Sequence, residues 1–401
     1  VHETIDVEIP EVPTHDSKRT KLFVMSSNDC GELGLGNDVE EMKYPRHVES
    51  LADFHIVKIS CGSLHVAALT RDGTVITWGC NDEGALGRVT KSEENSNATD
   101  ENVPAYVQGL DDVVIVKVVC SSNMTLALSD RGQLYATRTF RDNNGNTGFT
   151  SAINKQSIFV KYGPTSHLKI ADIAVGENHI LVLMTNSYLY TFGCMNSYQL
   201  GRRISVRKPN GLMLIPGKIS INRIRKIFAG GNHSFAIDED GMVYTWGQNA
   251  EGQCGIESPN PIITPIKLEF FKNLFSVKQI SAGLHHMLVL LKNSDVYSFG
   301  SNKYGQLGIG VSEENRKFPV RINHDNYDNC KYVATGDHHC IAVNNENKVY
   351  TWGFGETSAL ENGSKNNELL PFELKCKEFG EISEIGGGSQ YLVILSNFHS
   401  S

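Results

Sequence analysis

The sequence predicts an all-β fold: a seven-bladed β-propeller of four-stranded blades, its ring closed by pairing the N- and C-terminal segments in one blade. Three observations predict it. The first is a Gly-x-x-His motif at Gly62/His65, Gly176/His179, Gly230/His233, Gly283/His286 and Gly336/His339, with degenerate copies at Ser121/Met124 and Gly388/Tyr391. The seven anchors are 59, 55, 54, 53, 53 and 52 residues apart, and self-similarity at a fixed period marks repeat architectures. The second is a pair of trailing marks. An aromatic-Gly pair ends fourteen residues after each anchor, at Trp78-Gly79, Phe192-Gly193, Trp246-Gly247, Phe299-Gly300 and Trp352-Gly353, with Thr137-Arg138 as the departure. Gly-x-Leu-Gly comes next at 84–87, 252–255 and 305–308, and in part at 199–201. The third concerns the ends. The last anchor runs out of chain at Ser401, while 22–36 carries a Gly-x-Leu-Gly with no anchor before it. The two termini complete one unit, which removes a sheet edge that would invite aggregation.

Each unit reads as four short strands. In the first complete unit, 57–60 is the innermost and 65–70 the next. Asp72-Gly73 between apolar runs is a hairpin signal, and it turns the chain into 74–78. A Pro then opens the outer strand at Pro45, Pro104, Pro265, Pro319 and Pro371. Pro suits an edge because it cannot donate to the ladder. Residues 1–20 are polar and read as a flexible tail before a propeller at 21–401. Residues 89–103, VTKSEENSNATDENV, read as a mobile acidic insertion.

Composition excludes several classes. With 401 residues the chain fits one large ring. A formal charge of −8 is not that of a protein built to coat nucleic acid. No run of 18 apolar residues is present, so no membrane association is expected. Cys61 and Cys120 fall in a small-residue packing slot and Cys254 takes the Leu slot of Gly-x-Leu-Gly, and the nine cysteines are read as reduced, structural thiols. The anchor histidines fall once per unit, on separate blades, and a metal needs three or four ligands at one point. No nucleophile elbow, zincin or phosphate-binding loop motif occurs. The expectation is a monomer that is not an enzyme, with no metal and no cofactor of its own.

Strand order fixes which loops are neighbours. Counting strands outward from the centre, up-and-down connectivity puts the one–two and three–four loops on one face. The anchor motif is a one–two loop. GCNDEGALGR at 79–88 and FRDNNG at 140–145 begin three–four loops. Asp29, Asp82, Asn178, Arg202 and His285 are therefore expected on one face with Phe140, Arg141, Asp142, Asn143, Asn144, Gly145, Asn146 and Thr147. Loops on a rigid scaffold are where binding residues concentrate. The unit holding 140–147 also breaks the repeat rules most, at Met124 and Arg138, and functional sites are where local rules break.

These segments give the chain its resemblance. Over 22–396 it resembles the regulator of chromosome condensation family, the nucleotide exchange factors of the small GTPase Ran. FRDNNG after the third strand of its blade is the most specific piece. The resemblance implies a nuclear protein whose residues 140–147 form a two-stranded wedge pushed into the GTPase, with Asn143-Asn144-Gly145 as turn chemistry for its tip. It also implies GTPase contacts at Asp29, His65, Arg202 and His285. Asn178 and Ser122 depart from the family's acids at Ran-facing positions. A scaffold propeller of the same superfamily, without exchange activity, is the alternative.

One segment points to a second partner. Residues 202–226, RRISVRKPNGLMLIPGKISINRIRK, hold eight Lys or Arg and no acid. Either they are a solvated loop and strand, or Arg207, Lys208, Lys218, Arg223 and Arg225 form a patch for DNA phosphates or a nucleosome.

Overall fold

The computed structural model describes residues 6–13, 19–82, 84–122, 124–204, 211–274, 276–323, 329–356, 360 and 364–398. Among them are seven four-stranded antiparallel sheets and one two-stranded sheet. Six blades are sequence-continuous. The first runs through Ile56–Cys61, His65–Thr70, Val75–Gly79 and Ala105–Tyr106. The second has Ile115–Cys120, Thr125–Ser129, Leu134–Arg138 and, after the two-stranded sheet, Gln156–Lys161. Blades three to six begin at Ile170, Ile224, Val277 and Cys330. The seventh combines Glu381–Gly387 and Tyr391–Phe398 with Arg19–Ser27 and Glu41–His47, in the order outer N-terminal, inner N-terminal, then C-terminal strands. The ring closes as expected.

The two middle strands of each blade carry the core. His65–Thr70, His179–Met184, His286–Leu291 and His339–Asn344 are buried along their whole length. Both faces of these strands pack against neighbouring blades, so their sequences are apolar without alternation.

The repeat motifs are the joints between blades. Anchor His65 Nε2 meets Thr125 Oγ1 of the next blade at 2.9 Å, and His179 Nε2 meets Ser234 Oγ at 2.8 Å. His286 Nε2 faces Cys340 Sγ at 3.2 Å. Tyr391 replaces the last anchor and completes the circle, its hydroxyl donating to Gly62 O at 2.7 Å and His65 O at 2.8 Å. The Trp of one blade donates to the Gly-x-Leu-Gly loop of the blade before: Trp78 Nε1 to Glu32 O at 3.0 Å, Trp246 Nε1 to Gln199 O at 2.9 Å and Trp352 Nε1 to Gln306 O at 3.0 Å. The motif's second Gly is required by that ring. A Cβ on Gly201 or Gly308 would stand 2.7 Å from an indole nitrogen, in a left-handed backbone besides.

Three expectations need correction. Pro104 directly precedes its outer strand, Ala105–Tyr106, but Pro45, Pro265, Pro319 and Pro371 lie inside theirs rather than at the start, as in Ile262–Lys267 and Arg316–Arg321. These four fall where the pairing slips opposite the positive-φ residue, Ser26 for Pro45 and Gly for the others, for example between Gly247↔Ile262 and Thr245↔Ile266. A bulge leaves a ladder position empty, so the missing N–H costs nothing. Residues 6–13 are not a free tail. Val7 N donates to Thr185 O at 2.7 Å, and Val7, Ile9 and Val12 pack on the cores of the first four blades beside their two–three turns. Val7 and Ile9 alternate with exposed Asp6, Glu8 and Pro10, which marks an extended strap. The acidic insertion is tethered at its C-terminal end, where the Arg88 guanidinium donates to Thr99 O, Asp100 O, Glu101 O and Val103 O.

Candidate functional site

The one–two and three–four loops share a face, as the connectivity dictates. One–two loops of one blade touch three–four loops of the blade before it: Gln199 Nε2 donates to Asn232 Oδ1 at 3.2 Å, and Gln253 Nε2 lies 3.5 Å from His285 Nδ1. At the centre the one–two loops converge around a cavity of about 80 Å³, lined among others by Ser63, Ser122, Glu177 and Asp337. Ser63 Oγ bridges Ser122 Oγ and Asp337 Oδ2, each at 3.0 Å. Burial raises the Glu177 and Asp337 carboxyls above the usual range, and Asp337 adds to the effect on Glu177.

The segment expected as a wedge forms a hairpin near this mouth. Phe140–Arg141 pairs with Thr147–Gly148, in the register Phe140↔Gly148 and Arg141↔Thr147. It replaces the three–four loop of blade two and starts from a strained residue. Arg138 holds φ +79° where most other blades have Gly between about 99° and 113°; Ser26 at +93° is the other non-Gly occupant. Strain of that kind persists only where the surroundings over-determine it.

Phe140 roots the hairpin. It is 1 % exposed and meets Tyr162 and Phe192 edge-on at 6.2 and 5.8 Å, while Tyr162 stacks on Phe192 at 5.1 Å. Tyr162 and Phe192 lie on either side of the joint between blades two and three, so the root spans that joint. Blade three also supplies polar braces. Asn178 Oδ1 accepts Arg141 N at 3.0 Å, and Asn196 Oδ1 accepts Asn143 N at 3.2 Å. Asp142 is buried and accepts from Asn144 N, Asn146 N, Asn146 Nδ2 and Gly211 N at 2.8–2.9 Å. Burial opposes its charge, but these donors outweigh it and hold the carboxyl below its usual pKa. Asn143, Asn144, Gly145 and Asn146 are left exposed at the tip, with Arg141 and Thr147 half-buried on its flanks.

The remaining expected contacts divide. Asp29 and Asp82 are exposed, while Ser122, Asn178 and His285 are half-buried on the same face. Burial lowers the His285 pKa, against the pull of Glu251 and Glu177. His65 is corrected: it is 1 % exposed, spans two blades, and burial together with Arg138 drives its pKa to about 3. It has no surface to offer a partner. Arg202 is corrected too. Its guanidinium turns into blade three, with Nη2 on Thr191 O at 3.1 Å and Nε on Thr191 Oγ1 at 3.4 Å. Arg88 does the same in blade one, on Thr77 O at 3.3 Å. Both come directly after the last Gly of Gly-x-Leu-Gly, a repeat position of its own. Phe140 and Asp142 support the wedge from inside and do not present a contact surface.

Two residues of the site were not expected from the sequence. Asn196 had a signal. Asn28, Asn81, Asn249 and Asn302 occupy one repeat position, and each side chain accepts the amide of the motif's third residue, as Asn81 Oδ1 does from Leu86 N at 3.0 Å. In blade three that position is Met195, and the Asn stands one residue later, released for the wedge. Gly211 carried no signal, because its contribution is a main-chain N–H.

Two of the five residues of the expected basic patch are paired with acids. Arg223 pairs with Glu239 and with Asp240 at 3.2 Å, and Arg225 pairs with Glu239 at 3.0 Å. These acids lie just past the segment in sequence and meet it across the hairpin. The Lys218 ammonium sits 3.2 Å from the centre of the Tyr188 ring. Arg207 and Lys208 lie outside the described residues. Among the described residues no group of three His, Cys, Asp or Glu could hold a metal ion, and no helix is long and apolar enough to cross a membrane.

Comparison with known proteins gives the wedge its context. The family model described as RCC1-like domain matches residues 21–394. The chain belongs to that family. It is 33 % identical to Protein pim1 of Schizosaccharomyces pombe, over 96 % of this chain and 76 % of that one. It is 30 % identical to the guanine nucleotide exchange factor SRM1 of Saccharomyces cerevisiae, over 93 % and 86 %. The solved structure of Prp20p from Saccharomyces cerevisiae, described with its binding properties to Gsp1p and histones, superimposes with a TM-score of 0.85 at 28 % identity, covering 99 % and 94 %. This RCC1-like chain thus shares its fold with Prp20p and resembles in sequence, over nearly all of its own length, a protein named an exchange factor.

Proposed function

We propose that this chain is a guanine-nucleotide exchange factor for a small GTPase of the Ran type, acting in the nucleus. The observation that carries the reading is the braced hairpin. A short, rigid, polar-tipped protrusion beside a loop-lined mouth is what is needed to enter a partner and deform it. The yeast relative named an exchange factor supports the assignment. Binding of the factor and of nucleotide each weakens the other, and this coupling is reciprocal. The wedge tip displaces the GTPase's phosphate-binding elements, nucleotide leaves, and any incoming nucleotide resolves the complex. No covalent step is involved. The barrier falls in both directions, so nucleotide supply sets the direction.

The test is release of labelled GDP from purified Ran. The parent protein should accelerate it. Replacing the exposed tip residues 143–146 by Gly-Ser should abolish the acceleration and leave the melting curve in place, since an exposed hairpin tip contributes little to stability. Full activity in that variant would overturn the wedge assignment, and no activity in the parent would favour the scaffold alternative.

Docking on chromatin is the second part of the reading, supported by the histone binding described for Prp20p. With Arg223 and Arg225 committed to Glu239 and Asp240, it rests on Arg207, Lys208 and Lys218. Reversing these three to Glu should remove salt-dependent nucleosome binding and spare exchange on free Ran. Unchanged binding would leave the segment a solvated face.

A further inference from the structure

We propose that Asp142 is the positioning residue of the wedge, a buried carboxylate that ties the hairpin to blade three through the Gly211 amide; this rests on the exchange reading. Its two oxygens have different duties. Oδ1 takes the main-chain N–H groups of Asn144 at 2.9 Å and Asn146 at 2.8 Å, which curls the tip into its turn. Oδ2 takes the Asn146 side chain at 2.8 Å and, from across the joint between blades, Gly211 N at 2.8 Å. The first pair sets the shape of the hairpin, and the Gly211 bond sets its angle to the ring.

The site is built for a charge. A carboxylate has only acceptors, and here the groups facing it are N–H donors. Hydrogen bonds to an ionised acceptor are roughly twice as strong as neutral ones. Gly211 opens the outer strand Leu212–Lys218 and is itself held, since Met195 N donates to its carbonyl at 2.9 Å. The hairpin is therefore fastened to a fixed point of the ring. A protrusion that must deform a partner transmits force only if its base does not yield, so the brace matters to the exchange step more than to encounter.

Asp142→Asn separates these duties. It keeps one oxygen for the Asn144 and Asn146 amides and turns an NH₂ toward the Gly211 N–H, donor against donor. We expect kcat for GDP release from Ran to fall about tenfold or more, with KM within about twofold, the signature of an interaction made only at the transition state. Hydrogen exchange should quicken at residues 140–148 and 211–212 and stay unchanged in the other blades. A purely structural role would instead lower the melting temperature and the active fraction. Parental kcat in Asp142→Asn overturns the proposal, as does a loss of kcat with parental protection of the hairpin. One arm needs no variant: in the parent, the Asn144, Asn146 and Gly211 amides should be protected, and free exchange there overturns the brace. A parent without activity on Ran would overturn the exchange reading separately, because the protection arm does not depend on it.

Discussion

Blades one and two share their four strands and differ in the segment between the third strand and the fourth. In blade one, residues 79–88 turn their polar groups and their glycine gap toward the next blade. Thr125 Oγ1 and Thr137 Oγ1 of blade two donate to Ala85 O and Gly84 O at 2.7 and 2.6 Å, and Gly87 fits under the Phe159 ring. In blade two the same stretch is a hairpin whose carboxylate folds its own tip and catches blade three. One repeat position is a joint in one blade and a braced protrusion in the next. The ring tolerates the loss because blades two and three are held instead by Phe140, Tyr162 and Phe192.

That difference can be broken from either side. Removing a joint should cost fold, and removing the hairpin should cost function. Trp246→Ala empties a fully buried site and removes the indole donor to the Gln199 carbonyl, so urea unfolding should show a loss of about 3–5 kcal/mol. A loss under about 1 kcal/mol would mean the joints do not carry the ring.

Acid should open joints rather than the hairpin. Burial holds His65, His179 and His286 at pKa values of about 3 and His339 at about 4, with His233 well below 6.5. An unfolded histidine titrates near 6.5. Between about pH 6.5 and 4 the unfolded chain binds protons that the folded chain does not. Stability is therefore complete above about pH 6.5 and is lost as the pH drops, by up to about 1.4 kcal/mol per unit for each histidine. Melting temperatures at pH 7.5 and 5 should differ accordingly. Equal values would mean these rings already carry charge in the fold. Neither Tyr391 nor Met124 titrates in this range, so the closing joint and the joint between blades two and three should outlast the others.

Arg202 sharpens the contrast further. As a blade-internal arginine, Arg202→Ala should destabilise by about 1–2 kcal/mol through its lost bonds to Thr191. It should leave the salt dependence of Ran binding unchanged. A salt-sensitive loss of affinity without a stability change would restore it to the contact surface. The smallest effect is expected at Asn178. Asn178→Asp keeps the acceptor for Arg141 N and adds charge toward the partner, so exchange should quicken a few-fold at low salt and converge with the parent at high salt. A slower variant would show that the amide itself is needed.

The repeat was fully legible. Anchors, aromatic-Gly pairs and Gly-x-Leu-Gly recur because each blade solves the same packing problem, and seven similar solutions reveal the period. The face was legible as well, since connectivity alone makes the one–two and three–four loops neighbours. The resemblance pointed to the hairpin, and turn chemistry agreed.

The role of each side chain at the face was not legible, because it depends on which way the chain points it. Arg202 and His65 have the right chemistry for a partner and are turned inward. Arg223 and Arg225 look like a patch until Glu239 arrives across the hairpin. Sequence by itself determined the number of blades and their closure, since these follow from periodicity and local backbone preference, while the place of the hairpin came from the resemblance. Only the tertiary structure decided which charges are free, that the strap lies on the ring, and that Gly211 holds Asp142. Those facts rest on contacts between distant segments, and a main-chain N–H has no letter in the sequence to announce it.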